Sequence, residues 1–353
     1  MKKILFIFFI FLNIFNIHIF SEDMRPIRDN IGFFWKPKQV NRLMNYLESI
    51  EKQKFNLQKL IAGISPHDDY LYAARVYYPL FKNLKTKEVV IFGVTHGTVR
   101  KEIGDPKKIL ILDKYKCWKG PYKKVQISGL REFLKNRLKK DLYIVSNKAH
   151  MLEHSIEAMI PFLQYFNPDI KITPIMITGM DFKTMDEISN NLSGLIANYI
   201  KINNLKIGKD IFFLISTDAN HYGKDFNNNL FGKGEQAHNL GTINDKKIAK
   251  AFLSKKISKN KIERLTRALD GKINKDFKKA LWCGRYSIPF GMLVTLKVVN
   301  KIFPDKHLEG KILRYSDTYS EGVLPVKKSG YGITAPFSLE HWVGFLSAGF
   351  YLK

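Results

Sequence analysis

Cysteine is almost absent from this chain: two among 353 residues, Cys117 and Cys283. That excludes a disulfide-stapled scaffold and leaves at most one bridge, the default state of a cysteine pair in an exported protein. Acid is scarce as well, with 32 Asp and Glu against 58 Lys and Arg, a formal net charge of +26. No Pro/Gly/Ser-rich linker, repeat or low-complexity tract interrupts residues 22–353, which therefore read as one domain. A nucleic-acid module with its aromatic or helical signature is missing too. The positive charge then implies only non-specific attraction to anionic surfaces. Its densest stretch, residues 255–261, reads as a solvated face.

Long apolar runs are confined to the start. Lys2 and Lys3 precede an apolar stretch over residues 4–20 that Asn13, Asn16 and His18 interrupt. The run falls short of the roughly 20 residues that span a bilayer. A basic start before a short apolar core predicts an export signal or a retained N-terminal anchor over residues 1–21. Export to a periplasm, or membrane association through the N-terminus, is the expectation; without such a signal the chain would be cytoplasmic.

What the chain does have is three segments of one shape: an apolar β-like run, a turn, then a histidine. Leu60-Ile61-Ala62-Gly63-Ile64 precedes Pro66-His67, Val89-Val90-Ile91-Phe92 precedes Thr95-His96, and Ile211-Phe212-Phe213-Leu214-Ile215 precedes Asp218 and His221. Around them, strands are predicted at 171–177, 310–316 and 331–338, and helices near 41–58, 73–84, 128–140, 153–166, 181–203, 243–270 and 288–302. Such alternation argues an α/β sandwich, helices flanking a central mostly parallel or mixed sheet. Ligands of open α/β sheets sit beyond the carboxyl ends of strands. Three histidines leaving three strands can therefore meet in one crevice, and imidazole is the commonest side-chain metal ligand. Cys283, before the apolar stretch 289–299 and next to Gly284-Arg285, is either half of a disulfide or a thiol available as thiolate to a metal.

A second histidine cluster competes. His150-Met151-Leu152-Glu153-His154 fits H-x-x-E-H, two histidines on one helix face with a glutamate as general base, the pattern of one class of zinc hydrolases. The alternative makes Glu153, His154 and Glu157 the polar edge of a helix that Pro161 kinks or ends.

Five segments in order carry a resemblance: Pro66-His67-Asp68-Asp69-Tyr70-Leu71-Tyr72; Phe92-Gly93-Val94-Thr95-His96; Glu153-His154-Ser155-Ile156-Glu157 through Gln164; Ser216-Thr217-Asp218-Ala219-Asn220-His221-Tyr222-Gly223; and Cys283-Gly284-Arg285. Over residues 25–340 this succession resembles the Memo family, whose bacterial members are called AmmeMemoRadiSam system protein B. It departs from the family pattern at Asp68, Asp69, Ala73, Ala74 and Val94, and the two aspartates put carboxylates where small residues are usual.

The resemblance implies the fold of class III extradiol dioxygenases. It also implies a metal site of His67, His96 and Cys283, the cysteine standing where a dioxygenase has its glutamate, with His221 at the acid–base position. Asp218, Tyr70, Glu153, His154 and Tyr222 would be second-layer or pocket residues. Two imidazoles and a thiolate suit Fe(II) or copper, and zinc less well in this context. Three functions stay open: a redox-active metal protein with an unknown small-molecule substrate, a peptide- or protein-binding module on the same fold, and a zinc hydrolase using His150, Glu153 and His154.

Overall fold

The structure, a computed structural model, describes residues 23–52, 60–82, 84–273, 277–326 and 332–353. The basic and apolar start lies outside the described residues, as does part of the stretch expected to form a strand over 331–338.

The strands are β1 (Met24–Arg25), β2 (Leu60–Ser65), β3 (Glu88–Val94), β4 (Leu110–Leu112), β5 (Cys117–Trp118), β6 (Val125–Ile127), β7 (Tyr143–Val145), β8 (Lys171–Ile177), β9 (Ile211–Ser216), β10 (His221–Gly223), β11 (Lys255–Lys256), β12 (Leu308–Asp317) and β13 (His341–Leu352). The helices are α1 (Pro37–Ile50), α2 (Tyr70–Phe81), α3 (Gly97–Glu102), α4 (Gly129–Arg137), α5 (Asn147–Leu152), α6 (Ile160–Phe166), α7 (Phe182–Ile202), α8 (Gly234–Phe252), α9 (Lys259–Leu269), α10 (Ser287–Ile302) and α11 (Thr318–Glu321).

One mixed sheet runs β1-β5-β6-β8-β3-β9-β2-β13-β12-β11. Its centre, β6 through β2, is parallel, and β13 and β12 close it antiparallel. Both faces are covered, so the central strands read as unbroken apolar runs. Alternate residues serve opposite layers. Val90, Phe92, Phe213 and Ile215 pack with α7, α8, α9 and α10; Val89, Ile91, Phe212 and Leu214 pack with α1, α2 and α6. The expected α/β sandwich is what forms.

The consequence for function lies in the strand order. β2, β9 and β3 are neighbours, with β9 in the middle. The three strands that end in histidine segments therefore open side by side at the carboxyl ends of the central parallel strands.

Three expectations fail, each for a physical reason. The helix expected over 153–166 is broken: α5 ends at Leu152, Glu153 is extended (φ −93°, ψ 137°), and α6 begins only at Ile160. Pro161 opens a helix and does not kink one, since the first turn needs no amide donor from it. The helix expected over 243–270 splits at β11, where Lys255 adopts φ 62° and the chain pairs with β12. The last strand is β13, not 331–338. Gly344, Ser347 and Gly349 dilute its apolar pattern, yet it is buried against both β12 and β2.

Candidate metal centre

His67 is the second residue after β2. Its backbone N–H donates to Asp218 Oδ1 at 2.9 Å, and its Nδ1 lies 2.7 Å from Ser216 Oγ. The Ser216 hydroxyl donates its one proton to the Ser155 carbonyl at 2.7 Å. It must therefore accept from His67, which puts the imidazole proton on Nδ1 and leaves Nε2 as the lone-pair nitrogen. That nitrogen is 3.4 Å from Cys283 Sγ and 3.3 Å from Asp218 Oδ2.

His96 caps the start of α3 at the end of β3. Its backbone N–H and Nδ1 both donate to the Glu153 carboxylate, at 2.9 and 2.8 Å. Glu153 also accepts from the amides of His154 and Ser155, at 2.9 and 3.0 Å. Burial alone would raise this carboxyl, but His96 and these donors hold it well below the usual range. An ionised Glu153 only accepts, so His96 also carries its proton on Nδ1 and keeps Nε2 free. Burial pulls the His96 imidazole down; Glu153 outweighs that and leaves it raised.

The ring of His154 stacks on His96, centroids 4.8 Å apart and 6° from parallel, and His67 meets both rings edge-on at 5.1 and 5.5 Å. Burial and then His96 pull His154 down to about 4. His221 begins β10, and its Nδ1 donates to the Ala219 carbonyl at 3.2 Å, again freeing Nε2. Burial takes this imidazole to about 4 as well. His67 is held well below its ordinary value by burial, then by His96 and His154. His67, His154 and His221 are thus held neutral, the state a cation needs, whereas His96, raised by Glu153, would give up a proton from Nε2 on taking one.

Cys283 completes the group from the turn before α10. Its sulfur accepts the Asp218 amide at 3.0 Å. Gly284 must be glycine, because a Cβ there would collide with the Thr217 hydroxyl, which accepts the Gly284 amide at 3.0 Å. Burial and Asp218 push the Cys283 thiol well up. A bound cation would reverse that and hold thiolate. Burial likewise raises Asp218 to about 7. One ligand atom each from His67, His96 and Cys283 lies within 4.8 Å of the others, and the same holds for Asp218, His221 and Cys283 and for His96, Glu153 and His154. Both cysteines are free thiols, as a ligand thiolate at Cys283 requires. This donor set fits a transition-metal ion.

Two supports hold the loops. Asp245, on α8, accepts from Trp282 Nε1 at 2.8 Å, Tyr315 Oη at 2.8 Å and the Asn220 amide at 3.2 Å, so it ties the residue before Cys283 to the residue before His221. Arg25, buried on β1, donates to the carbonyls of His150 and Glu153, each at 2.7 Å, and pairs with Glu157.

The zinc-hydrolase grouping does not assemble. With α5 ending at Leu152, His150 and His154 do not share a helix face. His150 is buried, its Nε2 donates to the Ile111 carbonyl at 3.0 Å, and its ring packs on Trp118. Glu153 and His154 belong to the cluster around His96. Tyr70 spends its hydroxyl on the Ala158 carbonyl and packs among Phe33, Phe34, Tyr77 and Phe162. Tyr222 donates to the Gly232 carbonyl and stacks on Trp342. Both hydroxyls are committed to backbone carbonyls and both rings to aromatic packing.

Of the two aspartates beside His67, Asp69 turns to the amide and hydroxyl of Thr334, at 2.5 and 3.1 Å. Asp68 stays near Asp218, and burial with that neighbour raises it well above the usual range. Ser216, which orients His67, was not among the expected site residues; the available signal was a polar residue ending the otherwise apolar β9.

Three adjacent parallel strands and one turn thus bring imidazoles and a thiol to a single crevice, which defines an α/β protein with a candidate metal-binding centre. The chain belongs to the Memo family: the family described as Memo-like protein matches residues 32–329. Among its relatives, a MEMO1 family protein of Pyrobaculum arsenaticum is 30% identical over 173 residues, 47% of this chain and 54% of that protein. One from Methanosarcina barkeri is 28% identical over 225 residues, 63% of this chain and 73% of its own length. One from Saccharolobus islandicus is 34% identical over 202 residues, 55% and 61% of the two lengths. The match therefore spans less than two thirds of the first and third of these relatives.

Proposed function

We propose that this protein holds one redox-active metal ion, iron or copper, through His67, His96 and Cys283, and presents it to a small molecule in the crevice. The observation that carries the reading is the approach of Cys283 Sγ to His67 Nε2, 3.4 Å, with His96 in the same ligand group. A thiolate beside two imidazoles favours a soft or borderline ion and leaves coordination positions open. Such an ion supplies one-electron or oxygen chemistry when bound. The chain's own residues would do the rest. Ser216 and Glu153 fix the imidazole tautomers, His221 exchanges a proton at Nε2 with a bound molecule, and Asp218 adds a carboxylate beside the cysteine.

The test is metal analysis of protein purified without oxygen, because thiolate sites oxidise readily. One equivalent of iron or copper, lost in His67→Ala, His96→Ala and Cys283→Ala but kept in His221→Ala, is the expected result. Stoichiometric zinc, or metal retained in Cys283→Ala, overturns the proposal. Loss of metal in His221→Ala to the extent seen for His67→Ala would make His221 a ligand and not a proton carrier.

A further inference from the structure

We propose that the β1–β5–β6 edge of the sheet is a docking surface for an anionic lipid bilayer. β1 is the outermost strand on that side, paired with β5, and β5 forms a hairpin with β6. The segment 114–124 carries five lysines, Lys114, Lys116, Lys119, Lys123 and Lys124, all exposed, and no acidic residue. The acid just before it, Asp113, is buried and paired with Arg131 at 2.6 Å. Lys116 pairs with Asp23 at 2.9 Å and Lys123 with Asp169. Lys114, Lys119 and Lys124 have no carboxylate partner among the described residues.

A second observation selects the partner. The chain enters the fold at this same edge: the Lys116 and Cys117 amides donate to the Asp23 carbonyl, and the Lys119 amide donates to the Arg25 carbonyl. The apolar residues 4–20 precede Asp23 by only a few positions. An apolar segment and a lysine cluster are thereby covalently adjacent, and stable membrane attachment takes two such signals acting together. Near an anionic leaflet each lysine contributes roughly a five-fold factor in affinity, acting within about a Debye length. The molecule supplies its own control. The other basic stretch, around Lys255 and Lys256 on β11, sits at the opposite end of the sheet from β1.

The experiment is flotation of the full chain, residues 1–353, with vesicles of phosphatidylcholine alone or containing about a third phosphatidylglycerol. Expected is at least a ten-fold preference for the anionic vesicles. It should disappear in 1 M salt and in the variant K114E/K119E/K123E/K124E, and persist in K255E/K256E/K259E/R267E. The corresponding glutamine variant, with its thermal midpoint measured, separates lost binding from lost folding and should also abolish the preference. Equal loss in the two charge-reversed variants would make the effect one of net charge and overturn the proposal, as would equal binding to both vesicles. Equally tight binding to random-sequence duplex DNA, lost in the same edge variant, would assign the edge to polyanions in general and overturn the lipid assignment.

Discussion

The hydroxyl of Ser216 sits between Nδ1 of His67 and the carbonyl of Ser155, 2.7 Å from each, and so decides which nitrogen of His67 faces Cys283. Ser216→Ala removes that decision without replacing any proposed ligand. Metal affinity is expected to fall about 10–100-fold, the usual effect of losing a group that orients a metal-bound histidine. Ser216→Thr, which keeps a hydroxyl, should lose less. Competition titration with a chelator measures both; an alanine variant with unchanged affinity would refute the tautomer argument.

Metal uptake should release a proton from Cys283. Without a cation, burial and Asp218 hold its thiol well above the ordinary value, so below that value binding competes with protonation. Between pH 7.5 and 8.5, affinity is expected to rise about ten-fold more steeply per pH unit in the wild type than in Cys283→Ala. Parallel slopes would mean that the sulfur takes no part.

His150→Ala should leave metal affinity within about two-fold of wild type and cost stability of roughly 1–3 kcal/mol, the value of a lost buried hydrogen bond and its unsatisfied partner. The imidazole is 1% exposed, bonded to the Ile111 carbonyl, and in none of the ligand groups. Chemical denaturation and metal analysis of the same preparation separate the two effects. Loss of metal with stability intact would restore the hydrolase grouping.

Asp245 gives a pH dependence of defined sign. Burial raises its folded-state pKa to about 7, while an unfolded aspartate titrates near 3.9. Between about pH 4 and pH 7 the folded state therefore binds the extra proton, and the stability this confers declines as pH rises through that window. Asp245→Asn should flatten the decline. Denaturation midpoints measured from pH 4.5 to 7.5 test it, and identical profiles for the two proteins would disprove it.

Much of the centre was legible because strand ends announce themselves. His67, His96 and His221 each follow an apolar run and a turn, and chemistry at the carboxyl ends of parallel strands does the rest. Cys283 was visible as a thiol ahead of a buried helix. The helix at 153–166 was misread because Ile156, Ile160 and Leu163 have helical spacing; the four-way demand on the Glu153 carboxylate, which holds that backbone extended, is a tertiary effect with no local signature. β13 was missed for the converse reason. Gly344 and Gly349 weaken its local propensity, and only pairing with β2 and β12 makes it a strand.

The buried Arg25 also ties the start of the fold to the centre. Its guanidinium holds the peptide carbonyls of the loop that carries Glu153, and its partner Glu157 is fully buried. Trimming beyond this arginine would strand that carboxylate in the interior, at a penalty of roughly 3–5 kcal/mol, and would loosen the residue that orients His96. The integrity of the centre therefore reaches back to Arg25, 42 positions ahead of His67, the first of its histidines in the chain.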